Sequence, residues 1–468
     1  MQVNKNYFTL PNPQLNKKFF ETKQDVKYFN TAPLKNGAEI LALYNKVSFK
    51  AQADPEIEQI KKYIKEERVN GRTFSSLDDF TDIEIQRLSN ICKGIAVFEG
   101  INAKALQFIT KTFDTILLQR GCSNQCSHCA VNADAKITTM DWDNYVDLVD
   151  GIAELKNRLG FNPFRIKSDD DDDIVPFYDS DPMFYKSKGH DIYDAAKLYY
   201  EKTGTKFGIT TAGWDKNNKT ANSAMDKIVK SPGCISSFEI SVHPFHSIMQ
   251  KSIEFRNNGD IEKADEYRNK YIERMASIIA KSLAIQKKVD TYDIVLEYYN
   301  ARGYGHNKYD NKKESEKLLA DIFKKIKQET PKIDLSYFAK FDSNGEMQFT
   351  KKVIYVEISQ THGKSQENYP YAQNRIYPQT DGYKWDDYEI LPKMISPEGK
   401  ILVKPGRIPS PSFGILIPIY QEECEMTGLP PRELPFSLNF RHEKNTKGKK
   451  SEKIPLPEKI PLPEKFYS

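Results

Sequence analysis

The chain has 468 residues, too many for one ordinary core, and its 69 basic and 65 acidic side chains leave a formal charge of only +4. Two or three units are therefore expected, and no global field marks a nucleic-acid or membrane partner. The N-terminus MQVNKNYFTLPNPQLNKKFF lacks an apolar segment followed by a small-residue cleavage site, and no apolar run approaches bilayer length, so a soluble cytoplasmic protein is the expectation.

Residues 1–110 read as a helical N-terminal region. Ser76 with Asp79 fits a capping box, and Ile85, Leu88, Ile91 and Ile95 recur at helical spacing. Cys92 on that stretch reads as a buried small hydrophobe. From Phe113 alternation takes over. FDTILLQ is strand-like, a cysteine-bearing loop follows it, and then comes a helix with Tyr145, Leu148, Val149, Ile152 and Leu155 on one face, stopped by Gly160. Further strands are expected at IVPFY (from Ile174), FGITT (Phe207), FEISV (Phe238), DIVLEYY (Asp293) and IDLSYF (Ile333). Helices near Ala195, Met225, Met275 and Leu318 separate them. Six strands alternating with five helices argue a parallel sheet with right-handed crossovers, doubly wound or curled into a barrel. In either form the loops after the strands gather at one end and build the site. The aspartate run from Asp169 to Asp173 reads as a solvated loop, because consecutive like charges repel one another.

Beyond Phe338 the helical period fades. Residues 339–441 read as a β-rich extension in which the Asn-Gly turn of KFDSNGEMQF leads into KKVIYVEIS as a hairpin. Residues 442–468 are rich in Lys and Pro and repeat EKIPLP twice, a composition expected to stay disordered or in polyproline II.

The chemistry is concentrated in RGCSNQCSHCA, which places Cys122, Cys126 and Cys129 at C-x3-C-x2-C spacing in a chain with six cysteines. So few cysteines over such a length make no disulfide framework, and a close cluster in a reducing compartment reads as metal-binding or redox-active. Zinc sites want four ligands, and a fully capped [4Fe-4S] cube wants four thiolates. The remaining cysteines, Cys92, Cys234 and Cys424, are isolated. Three thiolates leave one corner of a cube open, so the missing ligand is expected to be a substrate or cofactor.

This motif, in the loop after the first strand of a repeating β/α chain, resembles the radical S-adenosylmethionine (radical SAM) superfamily. The resemblance covers residues 111–338 as the core and implies a partial (β/α)6 TIM-like barrel flanked by the helical N-terminal and β-rich C-terminal extensions. It implies one [4Fe-4S] cluster on Cys122, Cys126 and Cys129, with S-adenosyl-L-methionine chelating the fourth iron. His128 then stands at the usually aromatic position that lies against the adenine. Tyr178 to Pro182, YDSDP, resembles a variant of the family's Gly-Gly-Glu-Pro turn, with Ser180 and Asp181 toward the cofactor's ammonium group and Pro182 stiffening the turn. The plainer reading of that turn is an Asp-Pro helix start. Thr210, Thr211 and Ser241 close strands where the family places polar cofactor contacts. Arg274 is a candidate donor to the cofactor carboxylate, in competition with Arg256 and Arg268; an exposed helix charge is its plainer reading.

His243 and His246 form H-x2-H beside a strand end and read as polar groups around the site rather than as a second metal site. Glu297, Tyr298 and Tyr299 close the fifth strand and read first as barrel packing. The resemblance further implies reductive cleavage of S-adenosylmethionine to methionine and a 5'-deoxyadenosyl radical that takes hydrogen from a substrate. An electron donor such as flavodoxin or ferredoxin is implied, with the C-terminal extension as lid. The substrate is unidentified, a peptide or a small molecule, with nucleic acid disfavoured, and no Cys-rich auxiliary-cluster domain follows. The competing reading is a non-enzymatic binding module in which the three cysteines and a remote Cys or His hold a structural zinc.

Overall fold

The computed structural model describes residues 54–129, 131, 133–164, 173–289, 291–299, 311–343, 347–358, 392–403 and 432–441. The readings of residues 1–53, Asp169 to Asp172, Cys424 and the tail 442–468 fall outside them.

The described chain opens with α1 (Pro55–Val69), which buries Ile57, Ile60 and Ile64. The capping box is present: the Ser76 side chain and the Asp79 carboxylate satisfy each other's backbone donors around a 3-10 turn. A second box, Thr81 with Glu84, starts α2 (Asp82–Arg87). The apolar spacing expected to continue this helix instead serves successive turns, with Ile91 N–H donating to Leu88 and Ile95 N–H to Cys92. Leu88, Ile91, Cys92 and Ile95 are all buried nonetheless. Helix α3 (Ala103–Thr110), capped by the Asn102 side chain, leads into the sheet.

Strand β1 (Phe113–Ile116) is followed by the short pair β2 (Gln119–Arg120) and β3 (Thr138–Thr139), which closes the cysteine loop at its base. Helix α4 (Trp142–Leu159) ends at Gly160 with φ +75°, the left-handed stop expected of that glycine. Strand β4 (Asp173–Ile174) is cut short at Pro176, which has no N–H to give the ladder; its carbonyl accepts from Leu118. A small hairpin, β5 (Lys186–Ser187) with β6 (His190–Asp191), precedes α5 (Ile192–Thr203). Then come β7 (Lys206–Thr211), α6 (Lys219–Lys230), β8 (Ile235–Val242), α7 (Ser247–Asn257), α8 (Ile261–Ser282), β9 (Thr291–Tyr299) and α9 (Lys312–Glu329).

The fold is mixed α/β. Its central sheet has five strands in the order β12 (Val353–Ile358), β9, β8, β7, β4, every neighbouring pair parallel. Burial explains why: Ile294 and Leu296 are fully buried and Val295 nearly so, leaving no wet face, as a helix-covered parallel strand requires. The order follows the sequence without the reversal of a doubly wound sheet. Strand β1 lies beside β4 through the Leu118 to Pro176 bond and the Thr115 hydroxyl, which donates to the Val175 carbonyl.

The sixth parallel strand is a correction. IDLSYF forms no strand; Asp334 accepts from Ser336 N–H in a local turn that Leu335 and Phe338 anchor in the core. The strand beside β9 is instead β12 (Val353–Ile358), part of the segment expected to close the Asn-Gly hairpin. The hairpin exists, but it pairs β10 (Ala339–Phe341) with β11 (Met347–Phe349). Last come β13 (Lys393–Ile395), β14 (Lys400–Val403) and β15 (Arg432–Ser437), a β-meander whose first strand pairs parallel with the outer edge of β1.

No described helix is long and apolar enough to cross a membrane.

Candidate metal and cofactor site

The cysteine loop begins at Gly121, whose φ of +81° only glycine adopts freely and where a Cβ would run into the Lys136 carbonyl. Gln125 is left-handed as well, at φ +46°. That turn aims the backbone N–H groups of Asn124 and Gln125 at the Cys122 sulfur. The Ala133 N–H reaches Cys129 Sγ at 3.3 Å. Burial pushes the Cys122 thiol up to about 11, with Asp181 and Cys129 adding to it. Cys126 is raised well above the ordinary thiol value too, by burial and then by Cys122, Glu297 and Cys129. Thiols this close resist ionising together, so the loop carries a cost that a bound cation relieves.

The loop is held against two other strand ends. Ser127 N–H donates to the Phe245 carbonyl at 2.9 Å, docking it on the segment after β8. Asn124 ties it to the turn after β4 and the loop after β7, with all four side-chain hydrogen-bonding positions used. Its Nδ2 donates to Asp181 Oδ2 (2.9 Å) and the Gly213 carbonyl (3.3 Å), while its Oδ1 accepts from His246 Nε2 (3.1 Å) and Arg274 Nη2 (3.3 Å). The His246 tautomer is fixed, because Ile248 N–H donates to Nδ1 and leaves the ring proton on Nε2. Burial, followed by the Arg274 charge, holds that ring well below the usual histidine range.

Asp181 is buried and accepts from the Thr211 hydroxyl and from the N–H groups of Met183 and Ala212. Burial lifts its carboxyl to about 6, although those donors and Arg274 pull the other way. Asp179 pairs with Arg120 Nε at 3.0 Å. A third group meets at Cys126. His128 Nε2 lies 2.6 Å from Glu297 Oε2, and His243 Nε2 lies 3.8 Å from the same oxygen and 4.0 Å from Cys126 Sγ. Burial raises the Glu297 carboxyl, but His243 and His128, together with hydrogen bonds from His128 and Ser241, bring it below the ordinary range. Burial lowers His243 to about 4, so its ring is neutral at pH 7.

The structure therefore brings Cys122, Cys126, Cys129, His128, Asp181, Thr211, Ser241 and Arg274 into one region. Arg274 is not the exposed helix charge of its plainer reading: burial lowers its pKa, and its guanidinium reaches Asn124 and the Gly213 carbonyl. Arg256 and Arg268 instead pair with Asp265 and Asp321 on the helices. Thr210 points away from Asp181, its hydroxyl donating to Glu239. Tyr298 packs beneath the Lys312 ammonium. Cys92 and Cys234 are core residues. Sequence reasoning passed over Asn124 and took Glu297 for packing; the available signals were a polar residue inside the cysteine motif and a lone acid ending a buried strand.

Several buried polar atoms here have no hydrogen-bond partner among the described residues: Asp179 Oδ1, Ser180 Oγ, Arg274 Nε, and Nδ1 of both His128 and His243. Unsatisfied buried polar atoms are rare, and a group of them around one loop is what a site for a polar ligand leaves open. Among the described residues, the three His, Cys or acidic ligand atoms lying within 4.8 Å of one another are those of Cys126, His128 and His243; the three cysteine sulfurs do not form such a set.

No family model and no curated protein matches the chain. Three solved structures of spore photoproduct lyase variants are similar to it. One is 13% identical over 63% of this chain and 88% of its own, with a TM-score of 0.24. A second is 12% identical over 69% and 93%, also at 0.24. The third, which contains a dinucleoside spore photoproduct, is 14% identical over 63% and 88%, at 0.23. Superpositions this loose decide neither fold nor chemistry.

Proposed function

We propose that the chain is a radical SAM enzyme. Cys122, Cys126 and Cys129 hold one [4Fe-4S] cluster, and the buried polar atoms beside them take S-adenosylmethionine. The observation that carries this reading is the convergence of those open atoms on the three-thiol loop. Ser180 Oγ and Asp179 Oδ1 can accept from an ammonium group, and Arg274 Nε can donate to a carboxylate. His128 presents its free Nδ1 at the same loop. When bound, the cluster supplies the electron that splits the cofactor's sulfonium and starts radical chemistry. The chain's own part is to orient: Asn124, fully bonded, fixes the turn bearing Asp181 and the Arg274 side chain, so neither reorganises when a ligand arrives.

The sequential order β4, β7, β8, β9, β12 in the central sheet, with β1 lying beside β4, favours a sheet curled into a partial (β/α)6 barrel. The core proposed for residues 111–338 then runs on through β12 to Ile358, behind the helical region 1–110. The C-terminal β-rich part is the natural lid, and a tail at 442–468 follows. An external electron donor of flavodoxin or ferredoxin type and a cytoplasmic setting belong to the same reading. The substrate class is a peptide or a small molecule.

The test is anaerobic reconstitution. Iron and sulfide near four each per chain, a cluster spectrum that changes on adding S-adenosylmethionine, and 5'-deoxyadenosine after reduction would support the enzyme. Loss of all three in a variant with the motif cysteines replaced by alanine would assign the cluster. A second reading rests on the close approach of Cys126, His128 and His243, a donor set that also suits one divalent ion. Stoichiometric zinc without sulfide in protein purified under the same conditions would favour that binding module.

A further inference from the structure

We infer that Glu297 is a positioning residue: it clamps His128 and turns the Nε2–H of His243 onto the Cys126 sulfur, so that carboxylate and imidazole would act together, with opposite sign, on electron uptake by a metal centre held through that thiolate. The inference deepens the proposed function and rests on it for the electron.

The geometry begins with strand β9, which delivers Glu297 from far along the sequence to the cysteine loop. Its Oε2 lies 2.6 Å from His128 Nε2, a contact across 169 positions, and the Ser241 hydroxyl from the neighbouring strand also bonds the carboxylate. The His128 ring is held on its other sides by His243, at 4.5 Å between centroids, and by Phe245 at 4.8 Å. His243 is 1% exposed. Its Nε2 faces two acceptors, Glu297 Oε2 at 3.8 Å and Cys126 Sγ at 4.0 Å, whereas its Nδ1 is buried and faces none among the described residues. A neutral imidazole carries one N–H, and here only Nε2 offers that hydrogen a partner. The ring is therefore a donor toward the sulfur, with the carboxylate deciding which nitrogen holds the proton.

The electronic consequence follows from charge. A metal-thiolate centre gains negative charge on reduction, so a hydrogen bond to its sulfur favours the reduced form and a nearby buried carboxylate opposes it. Removing the His243 donor should make reduction harder. Removing the Glu297 charge while keeping its shape should make it easier.

Two measurements test this. In metal-free protein labelled with nitrogen-15 histidine, the imidazole nitrogen shifts, assigned with His243→Phe, should show His243 as the Nε2–H form. That form should give way to a mixture in Glu297→Ala or, if that variant does not fold, in Glu297→Gln. A wild-type ring protonated on Nδ1, or a form unchanged in the variant that folds, overturns the inference. In reconstituted protein, the midpoint potential of Glu297→Gln should be more positive than wild type and that of His243→Phe more negative. Equal potentials or the reverse order overturn it as well. A wild-type chain that takes up no iron and sulfide would refute the proposed function instead, and the nitrogen spectra would still decide the positioning role.

Discussion

The side-chain amide of Asn124 donates to Asp181 Oδ2 at 2.9 Å, joining the loop of three cysteines to the turn that follows the second strand of the sheet. Asn124→Ala removes this bond and strips His246 and Arg274 of their shared acceptor. Buried groups left without partners cost about 1–3 kcal/mol each, so a loss of about 3 kcal/mol is expected from urea unfolding of the metal-free protein.

Asn124→Asp would set a second carboxylate against Asp181, whose own carboxyl already sits near 6. Both ionise at pH 8 and repel, while one takes up a proton as the pH falls toward 5. The variant should therefore be less stable than wild type at pH 8 and should recover part of the difference at pH 5. Thermal melting at the two pH values checks the sign.

Gly213 has φ +84°, and a Cβ there would come within 2.8 Å of Met275 Sδ. The methionine side chain can yield, but the left-handed backbone strain cannot. Gly213→Ala is expected to cost about 2 kcal/mol. Because the Gly213 carbonyl accepts from Asn124 and Arg274, the radical SAM function proposed above has the same variant binding S-adenosylmethionine more weakly, measured by calorimetry on reconstituted protein.

The Glu84 carboxyl is held well below the usual carboxylate range by hydrogen bonds from Arg72 and Tyr63, against the opposing effect of burial, with Thr81 adding to them. On acidification the unfolded chain takes up this proton before the folded one does. The stabilisation is thus fully present above the unfolded value of about 4.3 and is lost as the pH falls toward the folded value. Glu84→Gln should lower stability by about 2 kcal/mol at pH 7, and the gap should narrow below about pH 4. Melting curves across that range measure it.

Phe323 on α9 is fully buried, between Phe338 and Phe349 with centroids 6.2 Å away in each case. Phe323→Ala should cost about 3–5 kcal/mol in denaturant unfolding.

Helices were legible where one face alone is apolar, as in α4, and Gly160 marked its end because only a left-handed residue closes that cap. The sixth strand was not legible from its own pattern. IDLSYF alternates as a strand would, yet the Asp334 carboxylate accepts from the Ser336 N–H and the local turn wins, while β12 is identified only by the partner it finds in β9. For the candidate site, spacing pointed to the cysteine loop, and the structure brings Asp181 and Thr211, suggested by the resemblance, next to it through Asn124. Asn124 stayed hidden and Glu297 read as packing because their partners lie 57 and 169 positions away, distances at which neither periodicity nor local motif carries information.

The outer neighbour of β1 is β13, where Lys393 N–H donates to the Thr112 carbonyl and its ammonium group to the Thr112 hydroxyl, 281 positions apart. Translation at about 5–20 residues per second separates the two by roughly a quarter of a minute to a minute. Throughout that interval the nascent strand feeding the cysteines has a bare flank, open to pairing with another chain. Messages truncated before codon 393 should therefore yield aggregating polypeptide.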